Sequence, residues 1–278
     1  MIFVGTSGYS YPGWRATFYP SRMKREEMLS FYAERFPAVE LNFTYYGIPH
    51  PSVFERMVKR TPAGFLFALK LNGRITHEKD TEAIYEFSES IEPLRESGRL
   101  CSLLAQFPHW FSRSRRNLKY LELLRRMFPD DELVVEFRND TWLRPGVLDF
   151  LRKERLGYCC VDEPQIPGLL PPAGISTSNV GYVRFHSRNG KKWYAGGRDR
   201  YDYLFSKEEL GEWVPKIKGM ADEVEKIYIF FNNCHAGHAA VNATELQEML
   251  KELKLPVSLP SFESPQFEIC SQLTLTPR

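Results

Sequence analysis

Short apolar runs recur along the chain, and the segments between them carry apolar residues three or four positions apart. Eight such runs are bounded by turn signals or lead into a helical pattern, as expected for strands. They are Ile2 to Gly8, Ala38 to Thr44, Phe65 to Leu71, Cys101 to Phe107, Glu132 to Arg138, Gly157 to Asp162, Val180 to Ser187 and Lys226 to Asn233. Strand followed by helix, repeated eight times, predicts a (β/α)8 TIM barrel formed as one domain over residues 1–278. The alternative is a doubly wound open sheet, which normally needs fewer strands.

Two connections depart from the regular alternation. From Glu163 to Asn179 the chain contains four prolines and two glycines, which predicts an irregular sixth crossover instead of a helix. The seventh predicted strand is followed by a long loop, from Arg188 to Phe205, before the next helical pattern.

Composition limits the class of protein. The chain has 37 basic and 35 acidic side chains and a net charge of +2, too small by itself to indicate nucleic-acid binding. No segment approaches eighteen apolar residues, so no membrane span is predicted. The five cysteines are an odd number without CxxC spacing, which favours free thiols and a cytoplasmic location. They are Cys101, Cys159, Cys160, Cys234 and Cys270. The oligomeric state stays open.

The seventh run shows the most informative polar pattern. Tyr182, Arg184 and His186 alternate with Val183 and Phe185, so a cation and an imidazole project from the same face of the predicted strand. Strands that are buried on both faces are nearly continuous in apolar residues. Polar groups at the carboxyl end of such a strand must therefore be paired or serve a site.

Other predicted strands also end in polar residues, and TIM-barrel chemistry lies at that end of the strands. The positions expected to face the interior are Glu40, Asn42, Lys70, Gln106, Glu136, Arg138, Asp162, Arg184, His186 and Asn232. Strand one adds Thr6 or Ser7. Because unpaired buried ions cost several kcal/mol, salt bridges such as Glu136 with Arg184, or Asp162 with Lys70, are expected. The alternative, that these ions only fill the barrel, is disfavoured because the polarity is confined to one end.

The long loop after strand seven suggests an anionic ligand. Between Tyr182 and Arg200 there are six basic residues and one acid, interleaved with Trp193 and Tyr194. The basic residues are Arg184, Arg188, Lys191, Lys192, Arg198 and Arg200. Arginine suits phosphate or carboxylate, and aromatic rings offer a stacking face. The loop from Asn232 to His238 then leads into an Ala-rich helix whose N-terminus suits an anion. A solvated basic surface is the alternative.

These patterns favour an enzyme acting on a phosphate-bearing substrate, either a small anion or nucleic acid. The catalytic candidates are Glu40, Lys70, Glu136, Asp162 and His186. Glu136 or Asp162 would act as the general base and His186 as the acid. The substrate-binding candidates are Tyr9, Trp14, Asn42, Gln106, Arg138, Arg184, Arg188, Asn232 and Asn233. Trp14 and Tyr9 would wall a pocket, unless Trp14 is instead a hydrophobic lid on the barrel rim.

Three alternatives stay open. A glycoside hydrolase would use Glu40 and Glu136, provided that both carboxyls face one sugar bond. A non-catalytic protein would bind nucleic acid through the basic loop. A divalent metal is not favoured, because no HxH or HExxH spacing occurs and neighbouring cations compete for the carboxylates. No GxGxxG fingerprint occurs either, so no cofactor is predicted.

Several short motifs resemble those of the YecE-like family, also called the domain-of-unknown-function 72 family. They include Gly5-Thr6-Ser7-Gly8-Tyr9, Glu40-Leu41-Asn42-Phe43-Thr44-Tyr45-Tyr46, Ile75-Thr76-His77, Val135-Glu136-Phe137-Arg138, Tyr182-Val183-Arg184-Phe185-His186 and Phe230-Phe231-Asn232-Asn233. They occur in order from residue 5 to about residue 250. The resemblance implies a TIM barrel and implies little about activity.

Overall fold

The computed structural model describes residues 1–193 and 199–260. Eight parallel strands form a closed barrel in chain order, with β8 hydrogen-bonded to β1. The strands are β1 Ile2–Ser7, β2 Ala38–Leu41, β3 Leu66–Lys70, β4 Leu100–Gln106, β5 Leu133–Glu136, β6 Gly157–Asp162, β7 Val180–Phe185 and β8 Lys226–Phe231. The predicted (β/α)8 TIM barrel is confirmed.

Helices surround the barrel. They are α1 Met28–Ala33, α2 Phe43–Tyr46, α3 Ser52–Lys59, α4 Glu82–Ser90, α5 Glu92–Glu96, α6 Arg115–Met127, α7 Val147–Lys153, α8 Gly190–Trp193, α9 Lys207–Gly211, α10 Val214–Glu223 and α11 His238–Glu252. The described residues 163–179 contain no helix, which confirms the irregular sixth crossover. The described part of the loop after β7 contains the short helix α8 and a single 3-10 turn, Asp199–Tyr201, before α9.

The second strand is shorter than predicted. It ends at Leu41 instead of Thr44, because residues Phe43–Tyr46 form the short helix α2. Thr44 stabilises this turn, since its hydroxyl donates to the carbonyl of Leu41 at 3.1 Å and to that of Lys70 at 2.6 Å. The turn therefore folds back over the end of β3 and brings Tyr45 close to Lys70.

Strand register determines which side chains face the interior. In β6 and β7, Val161 pairs with Arg184 and Asp162 pairs with Phe185. Paired residues on neighbouring strands project to the same side of a sheet, and Phe185 packs on Trp213 in the helix layer, with ring centroids 5.1 Å apart. Asp162 therefore faces the helices, and the prediction that it faces the interior was wrong.

The first strand shows the same alternation. Ser7 pairs with Glu40 and faces the interior, whereas the Thr6 hydroxyl lies 3.0 Å from the Tyr32 hydroxyl of α1.

The four described cysteines are free thiols, and three of them are buried. Cys270 lies outside the described residues. Among the residues that the structure describes, no helix is long and apolar enough to cross a membrane.

Candidate active site

Arg184 joins two buried carboxylates inside the barrel. Its Nη2 lies 2.7 Å from Glu40 Oε1 and its Nη1 lies 2.5 Å from Glu136 Oε2, and none of the three side chains is more than 1% exposed. The Tyr182 hydroxyl donates to the second oxygen of Glu40 at 2.8 Å. Burial lowers the pKa of Arg184, but the two carboxylates outweigh it and hold the pKa well above its ordinary value. The predicted salt bridge between Glu136 and Arg184 is confirmed.

A second layer of polar side chains lies directly above this bridge. Arg138 Nη2 lies 2.5 Å from Glu136 Oε1, and Arg138 Nη1 donates to Glu163 Oε2 at 3.1 Å. His186 Nε2 lies 3.2 Å from Glu136 Oε1 and 3.0 Å from Arg138 Nη2, while Asn232 Nδ2 lies 3.1 Å from His186 Nδ1. Glu163 was not among the predicted site residues, although it follows β6 directly.

The electrostatics of this layer fix the charge of Glu136 and His186. Burial raises the pKa of Glu136, but Arg138 and Arg184 lower it further, to well below its ordinary range. Burial and Arg138 lower the pKa of His186 to about 3 despite the attraction of Glu136. Near neutral pH Glu136 is therefore an anion and His186 is neutral. An efficient acid or base has a pKa near the working pH, so this arrangement does not favour the predicted roles of Glu136 as base and His186 as acid.

Lys70 occupies the end of β3 without a carboxylate partner among the described residues. Its Nζ donates to Gln106 Oε1 at 2.7 Å and lies 4.2 Å from the ring centroid of Tyr45. Burial is the main cause that lowers the pKa of Lys70 to about 7, and the nearby Arg184 adds to it. The expected pair between Lys70 and Asp162 was wrong, because Asp162 lies on the other side of the sheet.

Asp162 and Arg188 form a separate cluster outside the barrel. Asp162 Oδ2 accepts from Trp213 Nε1 at 2.6 Å and lies 2.7 Å from Arg188 Nη2. Arg188 also lies 2.8 Å from Glu212 and 3.7 Å from Glu209. Asp162 and Arg188 therefore bind each other and helix-layer residues, and the structure does not bring them to the interior cluster as predicted.

The two predicted aromatic residues of the first loop lie in packed positions. Trp14 is fully buried and donates from Nε1 to the carbonyl of Cys234 at 2.8 Å, so it is a lid on the barrel rim and not the wall of a pocket. Tyr9 packs against Tyr32 of α1, with ring centroids 6.2 Å apart.

Asn42 and Asn233 differ in their surroundings. Asn233 is fully buried and donates to the carbonyl of Tyr203 at 2.8 Å and to Asn242 Oδ1 at 2.9 Å, which ties the loop after β7 to α11. Asn42, at the start of α2, is half-buried, and its Oδ1 is buried without a hydrogen-bond partner. A buried acceptor that lacks a donor is costly, and such an oxygen suits a substrate donor.

Aromatic rings line the mouth on two sides. On the β7 side, Trp193 and Tyr201 have ring centroids 6.3 Å and 6.4 Å from that of His186. On the β3 side, His77 lies between Tyr45 and Trp110, at 5.2 Å and 6.3 Å between ring centroids. A groove of about 500 Å³ runs beside Tyr45 and His77.

The basic loop carries less free charge than its composition suggests. Lys192 pairs with Asp202 at 3.1 Å, whereas the described residues offer no carboxylate partner to Lys191 or Arg200. Arg200 lies over the ring of Tyr201, 5.9 Å from its centroid. Tyr194 and Arg198 of the same loop lie outside the described residues.

A resident metal has little support from the donors at the mouth. Glu40, Glu136 and Glu163 are each bound by arginine, and no group of three or more His, Cys, Asp or Glu in residues 1–193 and 199–260 is arranged to hold a metal.

Comparison with known proteins identifies the family. The family model described as "Protein of unknown function DUF72" matches residues 3–266. The chain is 31% identical to the UPF0759 protein YunF of Bacillus subtilis over 270 residues, which cover 90% of this chain and 95% of that protein. It also resembles a crystal structure of a DUF72 family protein from Thermotoga maritima, with 42% identity, a TM-score of 0.84 and coverage of 90% of this chain and 99% of the other. A DUF72 family protein from Enterococcus faecalis is 30% identical, with a TM-score of 0.82 and coverage of 90% and 96%. The chain, a closed barrel with a polar carboxyl end, therefore belongs to the DUF72 family.

Proposed function

We propose that this protein is an enzyme that acts on a phosphate-bearing substrate at the carboxyl end of the barrel, with Lys70 as its proton-transferring group. The observation that carries this proposal is the position of Lys70. It is a half-buried cation at the end of β3, held by the neutral amide of Gln106 instead of a carboxylate. Buried lysines without an ion partner lose their proton readily, which suits acid–base chemistry at neutral pH.

Lys70 replaces the three groups that the sequence favoured for proton transfer. Glu136 is held as an anion by two arginines, His186 is held neutral, and Asp162 lies outside the barrel. The pKa of Lys70, lowered by burial to about 7, is the one near the working pH of a cytoplasmic enzyme. Arg184 holds Glu40 and Glu136 in ion pairs near this amine.

Phosphate binding is supported by the loop after β7. Lys191 and Arg200 bring cations without a described carboxylate partner, and Trp193 and Tyr201 bring ring faces next to His186. Phosphate is frequently bound by the last two loops of TIM barrels. The free oxygen of Asn42 and the amides of Gln106 and Asn232 would orient the remainder of the substrate.

The same geometry disfavours a glycoside hydrolase. Glu40 and Glu136 share the guanidinium of Arg184, so neither carboxylate is free to protonate or attack a sugar bond.

The free thiols of the described cysteines support a reducing cytoplasm as the place where the enzyme works.

The test is a titration of fluorescently labelled single- and double-stranded oligonucleotides at two salt concentrations, with glycerol 1-phosphate as a small phosphate probe. The same samples are run on a gel after incubation with Mg²⁺ or with a chelator. We expect a Lys191→Ala, Arg200→Ala double variant to bind the accepted phosphate compound at least tenfold more weakly, with a smaller salt slope. Lys207→Ala removes an exposed lysine of α9 nearby and serves as the matched control.

The outcomes distinguish a nucleic-acid enzyme, a non-catalytic nucleic-acid binder and a protein that acts on small phosphate compounds. Cleavage of an oligonucleotide that is lost in Lys70→Gln supports a nucleic-acid enzyme. Oligonucleotide binding that is unaffected by Lys70→Gln, with no product on the gel, supports the non-catalytic binder instead. Binding of glycerol 1-phosphate alone restricts the substrate to small molecules. If neither class of phosphate compound binds, the proposed phosphate-bearing substrate is wrong.

A further inference from the structure

We infer that Lys70 acts as a nucleophile that forms an imine between its Nζ and an aldehyde or ketone carbon of the substrate, and that Tyr45 and His77 handle the protons of this step. The inference rests on the proposed function, in which Lys70 is the reactive group, and it adds a carbonyl group to the substrate class.

The contacts of Lys70 suit a nucleophile. Gln106 Oε1 accepts one hydrogen bond from Nζ at 2.7 Å, which orients the amine and leaves its lone pair free once the amine is neutral. A carboxylate partner would hold the proton on Nζ, and none of the described residues forms such a pair. The face of the Tyr45 ring, with its centroid 4.2 Å from Nζ, covers one side of the amine and restricts the direction of approach.

The surroundings of Lys70 favour its neutral form. Burial is the largest cause of its lowered pKa, and the guanidiniums of Arg184 and Arg138 add repulsion, while the carboxylates of Glu136 and Glu40 offset part of the effect. Desolvation or a neighbouring cation is the usual way in which a lysine is activated for imine formation. Lys70 is both desolvated and close to cations, because its side chain lies inside the barrel.

Tyr45 and His77 form a proton relay beside the amine. The Tyr45 hydroxyl lies 3.2 Å from His77 Nε2, and His77 Nδ1 lies 2.9 Å from the Thr76 hydroxyl. Burial raises the pKa of Tyr45 and lowers that of His77, so the phenol keeps its proton and the imidazole is neutral at pH 7. The relay belongs to two sequence motifs, at Tyr45 and at Thr76-His77, that the interior ion cluster does not use.

The step balances without a cofactor. The Nζ lone pair forms a bond to the carbonyl carbon, the carbonyl π electrons move to oxygen, and that oxygen takes a proton from the Tyr45 hydroxyl. The amine then gives up a proton, which passes through His77 back to Tyr45. Tyr45 then donates its proton to the same oxygen a second time, and the oxygen leaves as water while the nitrogen lone pair closes the C=N bond. The proton that remains on the iminium nitrogen returns to Tyr45. Amine and carbonyl compound thus give imine and one water.

Part of the Lys70 residue is exposed, and a groove beside α2 adjoins its neighbour Tyr45. Tyr45 and His77 line this groove of about 500 Å³, together with the highly exposed Tyr46 and the buried Asn72. Trp110, whose side chain is 60% exposed, adjoins His77 at the rim.

The test is reductive trapping on the full-length protein. Wild-type protein is incubated with dihydroxyacetone phosphate and sodium cyanoborohydride, and the modified lysines are mapped by peptide mass spectrometry. We expect Lys70 to be modified at least tenfold faster than the exposed Lys59 of α3, with a rate that rises with pH through about 7. Modification spread evenly over exposed lysines, with Lys70 unmodified, overturns the inference.

Variants separate the nucleophile from the relay. Lys70→Gln should remove the main adduct, and Lys59→Gln should leave it. Tyr45→Phe should slow trapping at Lys70 at least tenfold while leaving the competition by glycerol 1-phosphate unchanged. If trapping in Tyr45→Phe is as fast as in wild type, the relay is wrong. The wild-type peptide map decides the nucleophile even if Lys70→Gln does not fold.

A second pair of probes distinguishes this inference from the phosphate proposal. Dihydroxyacetone carries the carbonyl without the phosphate, and glycerol 1-phosphate carries the phosphate without the carbonyl. Equal trapping of both ketones at Lys70, with no competition by glycerol 1-phosphate, supports the imine and refutes the phosphate site. Binding of glycerol 1-phosphate with no adduct at Lys70 refutes the imine and supports the phosphate site.

Discussion

Two arginine–carboxylate clusters lie on opposite sides of strands β6 and β7. Inside the barrel, Arg184 joins Glu40 and Glu136, and all three side chains are almost completely buried. Outside, Arg188 joins Asp162 to Glu212, whose side chain is 54% exposed. The inner cluster therefore has no solvent to replace a lost partner, whereas the outer one is partly screened by water.

The inner cluster sets the charge of neighbouring groups, whereas the outer cluster links elements of the fold. Replacing buried ion pairs by apolar side chains is often neutral or stabilising, so stability alone does not account for the inner cluster. Arg184 and the neighbouring Arg138 hold Glu136 ionised, and together with burial they hold His186 neutral and lower the pKa of Lys70. The outer cluster ties the loop after β7 to α9 and the following turn.

The largest effect is expected on breaking the inner cluster. Glu136→Ala leaves Arg184 and Arg138 with one carboxylate each in a buried site, so the free energy of unfolding should fall by about 3–5 kcal/mol. Glu212→Ala removes a carboxylate from the outer cluster and should cost less than about 1 kcal/mol. Urea denaturation measures both. Equal losses would show that the two clusters do not differ in the way described.

Asp162→Asn weakens the outer cluster without removing the side chain. It removes the charge next to Arg188 but keeps an oxygen that can accept from Trp213, so a loss of about 1–3 kcal/mol is expected. Because Asp162 faces the helix layer, reductive trapping at Lys70 should be unchanged. A tenfold change in trapping would place Asp162 in the same functional unit as the interior residues.

The pH dependence of stability sharpens the contrast between Lys70 and its paired neighbours. The pKa of Lys70 falls from 10.5 to about 7 on folding, so above pH 7 the unfolded chain binds more protons than the folded one. The free energy of unfolding should therefore rise with pH between about 7 and 10, and the slope should vanish below pH 7. From pH 7.5 to 8.5 wild type should gain about 1 kcal/mol relative to Lys70→Met. Parallel curves for the two proteins would refute the lowered pKa.

The smallest effect is expected at the rim of the mouth. Trp110 is 60% exposed and belongs to neither cluster. Trp110→Ala should change the free energy of unfolding by less than about 0.5 kcal/mol. Trp142→Ala is the matched control, since Trp142 is buried and stacked on Phe137, and it should cost about 3–5 kcal/mol. A comparable loss for Trp110→Ala would mean that the rim is part of the core.

The barrel and the presence of a polar end could be predicted from local patterns alone. Alternation with period two marks a strand, three-to-four spacing marks a helix, and eight repeats leave few folds that bury both. The prolines between Glu163 and Asn179 exclude a regular helix for the same local reason. The ion pair between Glu136 and Arg184 could also be predicted, because a buried arginine requires a carboxylate and both residues lie near the ends of predicted strands.

Only the tertiary structure decided which polar residues meet. Alternation shows which residues of one strand share a side of the sheet. Which of the two sides faces the interior depends on the register of the closed barrel, and this register places Asp162 on the outer side with Phe185. The short helix at Phe43–Tyr46, which places Tyr45 over Lys70, depends on a hydrogen bond from Thr44 to a carbonyl 26 residues away. The charge state of Lys70 likewise depends on burial and on the guanidiniums of other strands, and these are through-space effects that no local pattern encodes.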